Sequence, residues 1–418
     1  MRLAVGRRGF RLPPSLALGR AQPPERARLN HRSEPGSTTG AGRCRQAVGA
    51  AWDTRRVATL DLTTDVVSLT RALCDISSVS RDEQEIADAV EAALTALPHL
   101  DVVRLGHTVV ARTDLGRGER VVLAGHLDTV PVNGNFPSRL DEEAGLLHGL
   151  GTCDMKGGVA TILRLAATVP DPVRDVTVVL YEAEEIDEQY NGLRKVADER
   201  PDLLEADFAI LMEPSDAVVE AGCQGTLRVE VRTTGERAHS ARSWKGHNAI
   251  HDAADVLARL QAYDARRVLI DGLEYREGLN AVGIRGGVAG NVLPDECVVE
   301  VNFRFAPDRS TDEALAHVHE VFDGYDLTLT DLASGALPGL DRPAAKAFVE
   351  AVGGTVNPKF GWTDVARFTG LGVPAVNFGP GDALYAHKAD EQVPLEHLRR
   401  CEHTLRTWLT GGTAGEQA

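Results

Sequence analysis

The stretch VVLAGHLDTVPVNG, Val121–Gly134, opens with an unbroken apolar run and then sets a histidine and an aspartate two residues apart. An apolar run without alternation suits a strand covered on both faces, as in a largely parallel sheet. Side chains at i and i+2 of a strand point the same way, so His126 and Asp128 face one place together. They read either as a metal ligand with its orienting carboxylate or as a polar strand end.

Three other runs share this texture: DVTVVLYEA (Asp175–Ala183), DFAILM (Asp207–Met212) and VPAVNFG (Val373–Gly379). Helical patterns alternate with them. Val66, Leu69, Leu73 and Ile76 keep a helical period, as do Ile86, Val90, Ala93 and Leu97, with Ser80-x-x-Glu83 reading as a capping box between the two. MKGGVATILRLAATV (Met155–Val169) is a third helix, lying between two of the apolar runs. Strands and helices in alternation predict an α/β catalytic domain, a mainly parallel sheet with helices on both faces.

Between residues 225 and 332 the texture changes. TLRVEVR (Thr226–Arg232) and CVVEVNFRF (Cys297–Phe305) alternate strictly, with Leu227, Val229 and Val231 on one side of the first and Val299, Val301, Phe303 and Phe305 on one side of the second. A helix from Asn248 to about Tyr263 carries Ile250, Ala254, Leu257 and Leu260 on one face. Half-exposed antiparallel strands with helices on one side predict an α+β unit. The α/β texture resumes afterwards, so the division expected is a catalytic domain of residues 57–224 and 333–418 with an inserted domain of residues 225–332.

The 418 residues, 43% hydrophobic and 25% charged, are enough for a globular chain of two or more domains. A net charge of -16 argues against general nucleic-acid binding, and no apolar run approaches the length of a membrane span. The six cysteines (44, 74, 153, 223, 297 and 401) are scattered without a CxxC pair, which predicts reduced thiols and a cytoplasmic protein. Residues 1–56 differ: twelve arginines against three acids give about +9, so the remainder carries about -25. This Pro/Gly-rich stretch without an apolar core reads as a disordered extension, with an upstream start site or a nucleic-acid or targeting arm as other readings.

Acids and histidines collect just beyond the α/β strands. His126 and Asp128 follow the first, Glu184 and Glu185 the second, Glu213 the third, and His387 comes after the last. Open α/β sheets bind ligands outside the carboxyl ends of their strands, so these side chains share a rim. Asp154 joins from the glycine-rich turn HGLGTCDMKGG, where it either faces the same site or caps the helix that follows. Each residue alone has a bland explanation, a structural histidine or a solvated acidic face in EAEE. Together, His126, Asp154, Glu185, Glu213 and His387 make a mixed N/O donor set suited to zinc, with cobalt or manganese as substitutes. Five donors exceed what one zinc needs and point to two metals about 3.5–4 Å apart, leaving Glu184 as general base.

The motifs GHLDTVP, GLGTCDMKGG, AEE, MEPS and AHKADE also resemble the co-catalytic zinc amidohydrolases, the family of aminoacylases, carboxypeptidases, acetylornithine deacetylases and succinyl-diaminopimelate desuccinylases. The likeness runs from about Val57 to the C-terminus. It implies two zinc ions per subunit held by the five donors, with Asp154 bridging, Asp128 orienting His126, and Glu184 as base. It implies a cis bond after Asp154, and an inserted lid that mediates a homodimer. It further assigns His239 to the oxyanion of the partner subunit's substrate, and Asn291 and Arg304 to the substrate, Arg304 otherwise being a solvent-facing strand charge. The late loop GWTDVARF departs from the family's Asp-x-Arg, placing Arg367 one residue on, and Arg242 stands where some desuccinylases have tyrosine. Cys153 reads as buried spacing rather than as a ligand.

Within the family, GLGTCDMKGG, GERAHSARSW, GWTDVARF and NFGPGD most resemble the desuccinylases. The reaction implied is hydrolysis of N-succinyl-LL-2,6-diaminopimelate to LL-2,6-diaminopimelate and succinate, in lysine biosynthesis. The alternatives are another small N-acyl amino acid (acetylornithine), a dipeptide, or a non-catalytic binding protein; neither nucleic acid nor membrane is expected as a partner.

Overall fold

The computed structural model describes residues 58–412, so the basic extension and its expected disorder lie outside the described residues. The four apolar runs form the parallel centre of an eight-stranded sheet, in the order Asp175–Tyr181, Arg120–His126, Phe208–Leu211 and Ala375–Asn377. The hairpin Asp101–Leu105 and Thr108–Arg112 extends one side antiparallel. Val219–Ala221 joins the other side antiparallel, followed by Val356–Pro358. The sheet is therefore mixed, parallel only in its middle and at its last pair.

Alternate residues of each central strand serve two cores. Val121 and Leu123 pack with the helices Val66–Cys74, Gln84–Thr95, Lys156–Thr168 and Leu395–Leu409. Val122 and Ala124 pack with Gly192–Glu199 and Val365–Gly370 on the opposite face. Coverage on both faces is what allowed these strands to be apolar throughout. Close packing also explains two motif glycines. A Cβ on Gly158 would stand 2.3 Å from the Met212 carbonyl oxygen, and one on Gly379 would stand 2.2 Å from it.

The Ser80–Glu83 capping box is not formed. The helix starts at Gln84 with Glu83 as its N-cap and no side-chain cap bond. Ser80 instead donates its hydroxyl to Asp128, 48 residues away (2.7 Å). The expected third helix begins at Lys156, and its N-cap is Met155 rather than Asp154.

The chain leaves the large sheet after Val219–Ala221 and builds a four-stranded antiparallel sheet in the order Gly278–Gly286, Glu296–Phe305, Gly225–Thr234 and Asp326–Ala333. Leu227, Val229, Val231, Val299, Val301, Phe303 and Phe305 are all buried, as the alternation required. They pack against the helices Ala249–Gln261 and Thr311–Val321. The face of Ala249–Gln261 that meets this core is Ala249, Ala253 and Val256. Of the four residues grouped by periodicity, Leu260 packs against this core, whereas Ile250, Ala254 and Leu257 are exposed. Small residues let the helix sit close to the sheet, and the bulkier stripe is left facing outward. Among the described residues five cysteines are unpaired and buried, and no helix is long and apolar enough to cross a membrane.

Candidate metal centre

The four central strands end on one rim, and the donors arrive there from separate loops. His126 closes its strand, Glu184 and Glu185 follow Tyr181, Glu213 follows Leu211, and His387 lies beyond Asn377. His126 Nε2 is 3.1 Å from one carboxylate oxygen of Asp154, and His387 Nε2 is 3.4 Å from the other. His387 Nε2 also meets Glu185 at 2.8 Å. Donor atoms of His126, Asp154 and Glu185 all lie within 4.8 Å of one another. Asp154 thus faces two imidazoles with its two oxygens and does not cap the helix. The Asp154–Met155 bond is cis, as the family resemblance implied.

Asp128 is fully buried beneath this group. Its carboxylate accepts from Ser80 Oγ (2.7 Å), Glu184 N (3.0 Å) and Glu185 N (3.2 Å), while His126 Nδ1 lies 3.0 Å from the Asp128 main-chain carbonyl oxygen and 3.5 Å from the carboxylate. The carboxylate therefore pins the loop that carries the two glutamates, and the main-chain carbonyl of the same residue orients a candidate ligand.

Burial pushes the Glu184 carboxyl well above its ordinary range, and the charges of Glu213, Asp364 and Glu185 add to the effect against that of His126. Burial and the charge of Asp154 likewise push Glu213 up to about 7. Burial opposes the charged form of Asp154 too, but the two imidazoles hold it below the carboxylate range. Hydrogen bonds to Asp154 and Glu185 lift His387 to about 10. Burial works against the His126 imidazolium, yet Asp128 and Asp154 raise it well above normal. These are the signatures of an acidic, enclosed cluster short of positive charge. One oxygen of Glu213 is buried with no hydrogen-bond partner among the described residues, so the donor set fits divalent cations. A second group, Glu83, His107 and Glu182, has donor atoms equally close, but there Lys195 already meets Glu182 at 2.8 Å.

A cavity of about 470 Å³ opens on the rim. Glu184, Glu185 and His387 line one side; Arg228, Arg304 and Asp331 of the four-stranded sheet line the other. Arg304 is thus turned to the cavity rather than to open solvent. Arg228 was missed, although it falls on the same polar face: Arg304 is opposite Thr226, and Arg228 is opposite Asn302. Arg367 is occupied within the protein, donating to Asp364 (3.0 Å) with Glu188 at 3.6 Å. His239 and Asn291 are brought together, since Ser240 N donates to Asn291 O and His239 bridges Val292. Both are exposed, as is Arg242, and none of the three lines the cavity.

The model for Peptidase family M20/M25/M40 matches residues 122–410. The chain belongs to the M20 family. Over 355 residues this M20 chain is 58% identical to a Mycobacterium tuberculosis (strain H37Rv) protein provisionally named succinyl-diaminopimelate desuccinylase DapE, covering 84% of the chain and 100% of the relative. It is 46% identical over 362 residues to succinyl-diaminopimelate desuccinylase of Corynebacterium glutamicum, covering 84% and 98%. Its fold matches a tripeptidase of Staphylococcus aureus with a TM-score of 0.69 at 21% identity, covering 82% and 97%. It also matches the YXEP protein of Bacillus subtilis, a dinuclear metal binding peptidase of this family, with a TM-score of 0.62 at 16% identity, covering 84% and 98%.

Proposed function

We propose that this M20 chain is a zinc-dependent amidohydrolase that cleaves N-succinyl-LL-2,6-diaminopimelate to LL-2,6-diaminopimelate and succinate. The observation that carries the reading is the rim itself: the imidazoles of His126 and His387 gathered with the carboxylates of Asp154 and Glu185, and Glu184 beside them facing arginines across one cavity. Similarity along almost the whole length of two relatives bearing that enzyme's name supports the substrate.

His126, Asp154, Glu185, Glu213 and His387 would hold two metal ions, with Asp154 between them because each of its oxygens faces a different imidazole. When bound, such ions supply Lewis acidity, making water a nucleophile at neutral pH and polarising the amide carbonyl. Glu184 is not among these donors. Its carboxylate takes the proton from the attacking water and returns it to the departing amine nitrogen. Asp128 fixes the main chain of Glu184 and so aims that base. Arg304 and Arg228 read substrate carboxylates with their planar guanidinium groups.

A second copy of the chain completes the site. Ile250 and Leu257 are 40% and 41% exposed, and Ile284, on the edge strand opposite Val299, is 55% exposed. An apolar helix stripe beside a free strand edge suits a two-fold partner. His239, Asn291 and Arg242, exposed and outside their own cavity, would serve the partner's substrate.

The test is a metal count with a substrate panel of succinyl-diaminopimelate, acetylornithine and simple dipeptides. Two equivalents of metal and fastest turnover of the succinyl substrate are expected. Far faster hydrolysis of acetylornithine would overturn the substrate, and a metal-loaded protein inert to every member would overturn the enzyme. Glu184→Ala is expected to keep its metal and lose turnover; near-normal activity would remove the base assignment.

A further inference from the structure

The loop Gly149–Asp154 turns several main-chain N–H groups inward as it delivers Asp154 to the rim. Three of them converge on one side chain. Glu391 Oε2 accepts from Gly151 N (3.0 Å), and Glu391 Oε1 accepts from Cys153 N (3.1 Å) and Asp154 N (3.2 Å). The Glu391 main-chain carbonyl accepts from Gly149 N (3.0 Å). The side chain is 1% exposed. Among the described residues no cationic side chain bonds it, the nearby Lys156 ammonium being committed to the Ile76 carbonyl (2.8 Å). Successive N–H groups aimed inward make an anion cradle, and the occupant here is the protein's own carboxylate.

Position in the chain gives this cradle its meaning. Glu391 lies four residues after His387, and the next residues, Gln392–Pro394, pair antiparallel with Leu146–His148, just ahead of the Asp154 loop. Two loops that meet at the rim are therefore locked to each other through one carboxylate that does not line the cavity. We propose that Glu391 is a positioning residue that sets Asp154 against His387 and so fixes the spacing of the metal pair. The inference rests on the dinuclear reading above. Glu391 does not touch the metals or the substrate; it acts through the main chain of Asp154. A tie that only stabilised the fold would leave the metal affinity of the folded protein untouched.

The experiment uses the full chain with Glu391→Gln and Glu391→Asp. In the glutamine variant one amide oxygen can still serve Cys153 N and Asp154 N, but the amide nitrogen then faces the Gly151 N–H, donor against donor. Metal affinity is measured by chelator competition with zinc, and ligand geometry by the visible absorption of the cobalt-loaded protein. E391Q is expected to bind both metals about 10–100-fold more weakly, with shifted cobalt bands. E391D, which keeps two acceptor oxygens on a shorter stem, is expected to recover part of both. Wild-type affinity and an unaltered cobalt spectrum in a folded E391Q would overturn the proposal, whatever happened to its melting temperature. Should E391Q fail to fold, E391D decides alone: weakened binding with shifted bands upholds it, and wild-type values refute it. A wild-type chain that binds no metal would sink the dinuclear reading first, an outcome read on the unmodified protein.

Discussion

Replacing Asp128 by asparagine changes almost no volume and removes one charge, so its cost is read from hydrogen bonds alone. The carboxylate is completely buried and takes the main-chain N–H groups of Glu184 and Glu185 on different oxygens. An amide offers one acceptor and one donor. Whichever way the new side chain turned, its NH2 would oppose one of those two N–H groups, whereas the Ser80 hydroxyl could rotate to accept. A buried donor left without a partner costs about 1–3 kcal/mol, and the surviving bonds lose roughly 1 kcal/mol on becoming neutral. The total, about 2–4 kcal/mol, corresponds to a roughly 30- to 1,000-fold shift in the equilibrium that orders the glutamate loop. Denaturant unfolding in excess chelator measures the scaffold term, and turnover of the metal-loaded enzyme measures the consequence for the base. Ser80→Ala is the control: it removes one donor and strands none, so a loss of about 1 kcal/mol is expected. An Asp128→Asn protein within about 0.5 kcal/mol of wild type, with normal turnover, would refute the reasoning.

Contacts elsewhere in the molecule set further expectations. Gly158→Ala would gain about 1 kcal/mol of helix propensity, yet its methyl group meets the Met212 carbonyl at 2.3 Å; a net fall in melting temperature and weaker metal binding through the adjoining Glu213 are expected. In the smaller sheet's unit, burial opposes charge on Glu277, but Arg266, Arg309 and the Ala306 N–H hold its carboxyl below the ordinary value of 4.5. A carboxyl depressed in the folded state stabilises above its unfolded value and loses that contribution as pH falls. Glu277→Gln should therefore cost roughly 1–3 kcal/mol at pH 7, below a fully buried pair because Arg266 is 38% exposed, and the gap should close below about pH 4.5 in parallel denaturation curves. Mixing inactive Glu184→Ala and His239→Ala chains tests the shared site: random reassortment should restore about a quarter of wild-type activity, and no recovery in exchanged dimers would place His239 elsewhere.

The central strands were legible because burial on both faces leaves an unmistakable apolar run, and their shared rim followed from where polarity returned. What escaped was whatever depends on contacts distant along the chain. Ser80 and Glu83 have capping-box spacing, yet the hydroxyl had a stronger acceptor in Asp128. Periodicity groups Ile250, Ala254 and Leu257 on one face, but it cannot say whether that face meets its own sheet or another molecule. Arg367 has one partner close along the chain, Asp364 three residues before it, whereas Glu188 becomes its neighbour only in the folded chain. Arg228 could have been found, since it shares strand polarity with Arg304, whereas the role of Glu391 lies in backbone N–H groups that no side-chain pattern reports.

The candidate donors run from position 126 to position 387, and the whole four-stranded sheet is threaded between the fourth and the fifth. On the ribosome, His126, Asp154, Glu185 and Glu213 emerge long before His387, so the nascent chain holds an acidic, half-built pocket while the intervening unit folds. Capture of the full metal complement is therefore among the last events of maturation, and a ribosome that stalls before codon 387 leaves a product without its final imidazole and without the helix Leu395–Leu409 that covers one face of the sheet.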